Sequence, residues 1–131
     1  MFTTNAFDYI NVLDKAADAS WLRENIITNN IANYDTPLYT RQDLDFQSLL
    51  EREMNHFKYT SLDKKVRDLN THLSDLTATP YDDAIDYAYR LDGNNVDVDS
   101  EQVELASEEL RYELLTASIN SNFQRIQAVL K

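Results

Sequence analysis

The sequence predicts a mainly α fold: long N- and C-terminal helices packing together in coiled-coil fashion, a shorter middle helix and a small β-hairpin. Three observations carry this. The 131 residues include one glycine, Gly93, and two prolines, Pro37 and Pro80, where average usage gives about nine glycines. Long stretches at both ends contain neither residue, and their apolar side chains recur at helical spacing. Between them the period changes to alternation over a few residues.

The first helix is expected over residues 5–33. Asn5 with Asp8 imitates a capping box and places acidic charge in the first turn. Ile10, Leu13, Ala17, Ser20, Ile27 and Ile31 form one stripe, interrupted by Glu24. Asp35-Thr36-Pro37 is the stop, because the residue before a proline is pushed out of the α region. Residues 34–60 then read as an extended loop followed by a short helix, in which Phe46, Leu49, Leu50 and Met54 have near-helical spacing. A middle helix is expected over residues 61–79. Its Leu62, Val66, Leu69, Leu73 and Leu76 are spaced as an a/d seam, and Pro80 closes it.

Residues 84–98 carry the strand signal. Ile85, Tyr87, Tyr89 and Leu91 alternate with Ala84, Asp86, Ala88 and Arg90. Asp92-Gly93-Asn94-Asn95 reads as a turn, after which Val96 and Val98 pair back as a second strand. The last helix is expected over residues 99–130, with Asp99 as N-cap and Gln102 completing a capping box. It carries two apolar rows. One is Val103, Ala106, Leu110, Leu114 and Ala117. The other is Leu105, Tyr112, Leu115, Ile119, Phe123, Ile126 and Leu130. A helix with two apolar rows needs two neighbours, or one neighbour and an outside partner.

Composition narrows the function. Twelve basic against 23 acidic residues give a net charge of −11, which suits neither nucleic-acid phosphates nor anionic membrane surfaces. The acidity is local. Residues 81–113 hold 11 acidic side chains against Arg90 and Arg111, and such a cluster ordinarily forms a solvated face. A calcium loop is excluded: Gly93 as its sixth position would put Ala88 at the first. The glycine shortage excludes Walker-A and dinucleotide loops. His56 and His72 have no metal-ligand spacing, and no glycine-flanked serine forms a nucleophile elbow. No catalytic, cofactor-binding or metal residue is therefore assigned, and no enzyme or cofactor is expected. The N-terminus shows no secretory signal pattern, and no apolar run approaches a membrane span. No cysteine is present, so no disulfide holds the fold.

What stands out is the pair of junctions. Asn30-Ile31-Ala32-Asn33-Tyr34-Asp35-Thr36-Pro37-Leu38-Tyr39 follows the first helix, and Asp92-Gly93-Asn94-Asn95-Val96-Asp97 precedes the last. Either is an ordinary terminator or turn when taken singly. Their order, with Asp43-Leu44-Asp45-Phe46 after the first and Glu101 and Leu110-Arg111-Tyr112 after the second, resembles the flagellar basal-body rod proteins of the bacterial axial family. The short length resembles its proximal-rod members. The likeness covers roughly residues 5–46 and 90–130.

The resemblance implies a structural subunit of the proximal rod, polymerising through its terminal helices into the drive shaft and exported without a cleaved signal. The partners it implies are other rod subunits, the rod-to-membrane-ring junction protein and the flagellar type III export apparatus, with self-association in the rod and no nucleic acid or membrane insertion. The assembly residues it implies are Asn30, Ala32, Asn33, Asp35, Thr36, Pro37 and Tyr39; Asp92, Gly93, Asn94, Asn95, Val96 and Asp97; and Leu110, Tyr112, Leu115, Ile119 and Phe123. Among these, Tyr112 and Leu115 are expected to face neighbours. Leu38 stands where the family has glycine, which argues for a type I turn or an extended path. The competing reading is a soluble helical adaptor or export chaperone that clasps a partner helix with the seam from Leu62 to Leu76.

Overall fold

Helix α1 (Ala6–Ala32) and helix α4 (Val98–Val129) lie side by side in the computed structural model, which describes residues 6–58, 61–83 and 90–130. They run antiparallel. Asn30 meets Glu101, Arg23 meets Glu104 and Glu108, and Ala6, Tyr9 and Leu13 face Ser118, Asn122 and Ile126. Helices α2 (Phe46–His56) and α3 (Leu62–Thr71) lie in the connection between them. Asn5, the expected cap of α1, falls outside the described residues.

The core is thin and centred on α1. Ile10, Ala17, Ala19, Ile26 and Ile27 are buried on it, with Leu44, Val66, Leu69, Leu76 and Val96 contributed from elsewhere. Leu22, Phe46 and Ala78 pack around Ala19, Ile26 and Leu44. Helix α2 starts where Asp45 accepts a hydrogen bond from the Ser48 amide at 3.0 Å. Helix α3 is held to the first half of α1 by polar contacts: Asn11 donates to Asn70 at 2.7 Å, Asn70 donates to Asp8 at 2.9 Å, and the Tyr9 hydroxyl donates to Asp63.

Three boundaries depart from the expected ones. The middle helix is not continuous. It stops at Thr71, His72 leaves helical geometry at φ −126° and ψ 38°, and a 3₁₀ turn covers Leu73–Leu76. Asn, Thr and His in succession are weak helix formers, and the Asn70 side chain is committed to α1. Val66, Leu69 and Leu76 of the seam are buried inside this chain.

The β-pairing is also placed differently. Strand β1 (Gln42–Asp43) pairs antiparallel with β2 (Tyr81–Asp82), Gln42 opposite Asp82 and Asp43 opposite Tyr81. The alternating residues 84–89 lie outside the described residues. Among the described residues no return strand follows the turn: Val96 is buried outside any strand and Val98 is the first residue of α4. The cause is Asp97, not Asp99, acting as N-cap. Its carboxylate accepts from the Asp99 amide at 3.1 Å and the Ser100 hydroxyl at 3.0 Å, which draws Val98 into the helix.

Candidate functional site

The two sequence junctions close on each other in space. Asn94 is fully buried, and its side-chain amide donates to three carbonyls beyond the end of α1: Asn33 at 3.0 Å, Tyr34 at 3.0 Å and Thr36 at 2.8 Å. A helix C-terminus leaves carbonyls without intrahelical partners. Here a turn some sixty residues downstream supplies the donor. The Asn94 side-chain oxygen accepts from the Val96 amide at 2.8 Å, and the Asp92 carboxylate accepts from the Asn94 amide at 3.1 Å, so the turn is itself braced. Arg90 adds a second tie. Its guanidinium donates to the Tyr34 carbonyl and to Asp35, both at 3.0 Å.

Asn30 organises the other side of the junction. It is fully buried and uses all its bonding capacity. Its amide donates to the Gln42 carbonyl at 2.7 Å and to Glu101 at 3.0 Å, and its oxygen accepts from the Gln42 amide at 3.0 Å and the Tyr39 hydroxyl at 3.1 Å. Burial, reinforced by the negative charges of Glu101 and Asp82, raises the Tyr39 pKa above the usual phenol range and keeps it a donor. Asn95 binds the returning chain: it accepts from the Arg41 amide at 2.7 Å and donates to the Asp83 carbonyl at 2.9 Å. Asn33 closes the helix end locally, donating to the Asn29 carbonyl at 2.8 Å and accepting from the Thr36 hydroxyl at 3.2 Å. Ala32 ends α1 and Pro37 is exposed.

Leu38 corrects the turn expectation. Its φ is +60°, a left-handed conformation that leucine seldom adopts. With Pro37 before it and the Tyr39 amide donating to the Thr36 carbonyl at 3.3 Å, this is the arrangement of a type II turn. Tertiary contacts override the residue's preference. The Leu38 amide donates to the Asp92 carbonyl at 3.1 Å, and its side chain lies over Gly93, whose own φ is +79°. A Cβ on Gly93 would sit 3.0 Å from the Leu38 side chain, so the two positions fit as a pair.

Beneath the junction lies a charged network the sequence does not announce. Glu101 and Glu108 are 2% and 1% exposed, on one face of α4 a heptad apart. Arg41 donates to Glu101, to Asp83 at 2.8 Å and to Asp43 at 3.1 Å. Arg23 donates to Glu108 at 2.8 Å and to Asp43 and Glu104 at 2.9 Å. The Ser20 hydroxyl completes Glu108. Burial works against the charged form of both arginines and of Asp43. The pairing outweighs it, holding the arginines above and the Asp43 carboxyl below their usual ranges. No fully buried side-chain polar atom among the described residues lacks a partner. The acidic run is thus not simply a solvated face: Glu101 and Glu108 face inward, and Asp83 is paired. One signal was present in the sequence, since both glutamates share the helical face of Leu105, Tyr112 and Leu115.

The two rows of α4 fare differently. Tyr112, Leu115 and Ile119 are half-buried on the face of Glu108, where Leu115 lines a groove with Ala16, Ala19 and Ser20 of α1. They lie on the side of α4 that α1 covers, yet none of the three is fully buried; Phe123, further along, is 44% exposed. The opposite row is the open one: Val103, Leu110 and Leu114 are 70%, 62% and 72% exposed. Among the described residues, no helix is long and apolar enough to cross a membrane and no group of three or more His, Asp or Glu side chains is placed to hold a metal ion.

Comparison with known proteins gives a consistent set of relatives. The chain is 34% identical over 121 residues to the flagellar basal body rod protein FlgB of Bacillus subtilis, covering 92% of each chain. It is 31% identical over 129 residues to FlgB of Borrelia hermsii, covering 93% of this chain and 95% of that one. To FlgB of Escherichia coli it is 30% identical over 114 residues, or 83% of each. No protein-family model matches the chain.

Proposed function

This chain belongs to the FlgB family of flagellar basal body rod proteins, and from that premise we propose that it is a structural subunit of the proximal rod, polymerising through its terminal helices to help form the torque-transmitting drive shaft. The observation that carries the reading is the apolar outer row of α4, with Val103, Leu110 and Leu114 turned away from α1. An exposed row of large apolar side chains on a long helix marks an interaction surface. The junction supports it by fixing the angle at which α1 and α4 are presented. The partners are neighbouring rod subunits and the protein that joins rod to membrane ring. The chain reaches the cell envelope through the flagellar type III export apparatus.

The adaptor reading loses its clasp, because Val66, Leu69 and Leu76 of the seam are spent on the chain's own core. The test is deletion of the gene in its host, with electron microscopy of purified basal bodies. A membrane ring without a rod, restored by the wild-type gene, is the expected result. Intact rods and swimming cells would sink the reading.

A further inference from the structure

The outer row of α4 has a receptor of matching character on the same molecule. A groove of about 480 Å³ opens between α1, α2 and the inner face of α4, walled by Ala16, Ala19, Phe46, Leu50 and Leu115. That volume lies within the range of sites that admit a ligand-sized group, ~300–1,000 Å³. Asp43 and Glu108 on its floor are held by Arg23, and Asp45 caps α2. The cation on its α4 wall is Arg111, with a half-exposed side chain 3.5 Å from Glu108. The outer row is flanked by the exposed carboxylates of Glu109 and Glu113. An apolar ridge edged by negative charge and an apolar groove edged by a guanidinium are complementary.

Resting on the rod-subunit reading, the geometry points to a head-to-tail contact in which Leu110 and Leu114 of one copy enter the Phe46–Leu50–Leu115 groove of the next, with Glu109 and Glu113 against Arg111. Ridge and groove lie on different faces of α4, since residues 103, 110, 114 and 117 are centred well over a third of a turn round the helix from 101, 108, 115 and 119. A surface and its receptor on different faces of one subunit make a heterologous contact, which propagates instead of closing into a two-fold dimer. The triplet Leu110-Arg111-Tyr112 takes part on both sides: Leu110 on the ridge, Arg111 on the groove wall, Tyr112 on the inner face.

The chain has no cysteine, so engineered ones report cleanly. Leu114→Cys and Leu50→Cys are made in separately tagged full-length copies, co-expressed in cells lacking the gene, and basal bodies are isolated and mildly oxidised. The expected product is a disulfide dimer carrying both tags. Glu113→Arg in the ridge copy should weaken that band, and Arg111→Glu in the groove copy should restore it. Same-tag dimers of Leu114→Cys would overturn the contact in favour of a ridge-to-ridge interface. Assembled rods with no cross-link would also overturn it, assigning the ridge to a different protein while leaving the rod reading intact. Rods that form in the deletion strain without any copy would refute the rod reading itself.

Discussion

The α1–α4 pair is held in two different ways along its length. At the junction end, Asn30, Asn94, Arg23, Arg41, Glu101 and Glu108 form a buried polar lattice in which each side chain has defined partners. At the free end, Ala6, Tyr9 and Leu13 face Ser118, Asn122, Arg125 and Ile126 across a gap of about 560 Å³, and no residue of α4 after Glu108 is fully buried. Directional bonds at one end specify register and angle. Loose apolar contact at the other specifies neither. A subunit whose helices must meet neighbours gains from this division, because the angle is set once while the distal surfaces stay accessible.

The comparison is broken most directly by removing one charge. Glu108→Ala leaves Arg23 short of a buried partner and the Ser20 hydroxyl unsatisfied. Breaking a buried pair costs about 3–5 kcal/mol, and the remaining Asp43 and Glu104 keep the expected loss near the lower figure. Leu115→Ala, one heptad along the same face and half-buried, should cost about 1 kcal/mol, below the range for fully buried leucines. Urea denaturation of both variants decides the matter. Equal losses would mean the polar lattice has no special hold.

Asn94→Ala is the next largest. It strips a donor from three carbonyls after α1 and an acceptor from the Val96 amide, some of which water can replace, for an expected loss of about 2 kcal/mol. Amide exchange should quicken around residues 33–39 and leave the distal half of α4 unchanged. Loss of protection along all of α4 would mean that the junction does not act as a local clamp.

Asp43 sharpens the same contrast through pH. Its pKa is lowered in the folded chain because the bonds and charges of Arg23 and Arg41 overcome burial. A depressed carboxylate contributes stability that is present above its unfolded pKa, near 3.8, and lost as pH falls through the folded value. Stability measured downward from pH 5 should therefore fall below about pH 4, less steeply in Asp43→Asn than in the wild type. Identical acid limbs would detach Asp43 from the lattice.

How much of this the sequence discloses depends on the range of the interaction. Helices α1, α2 and α4 were legible because apolar spacing and the Asp35-Thr36-Pro37 stop are local signals. The two junctions were legible as motifs. That Asn94 serves the end of α1 was not, because a bond between residues 94 and 33 leaves no trace in either neighbourhood. Glu101 and Glu108 read as surface charge because a single chain does not show which arginine will meet them. The middle helix broke at His72 for similar reasons: its seam predicted continuity, while Asn70 was drawn into contacts with Asn11 and Asp8. The β1–β2 pair joins two dipeptides about forty residues apart, too short for any periodicity to register.

Leu38 gives the smallest effect and the cleanest separation of backbone from side chain. Holding leucine in the left-handed region costs roughly 1–2 kcal/mol. Glycine would remove that strain but adds freedom to the unfolded chain worth about 0.4–1 kcal/mol. The side chain is 81% exposed, so its packing over Gly93 contributes little burial. Leu38→Gly should therefore stabilise the chain by about 0.5 kcal/mol. Leu38→Ala keeps the strained φ, loses the contact with Gly93 and should stabilise nothing. If both variants lose stability equally in thermal denaturation, the Leu38 side chain rather than its backbone holds the two junctions together.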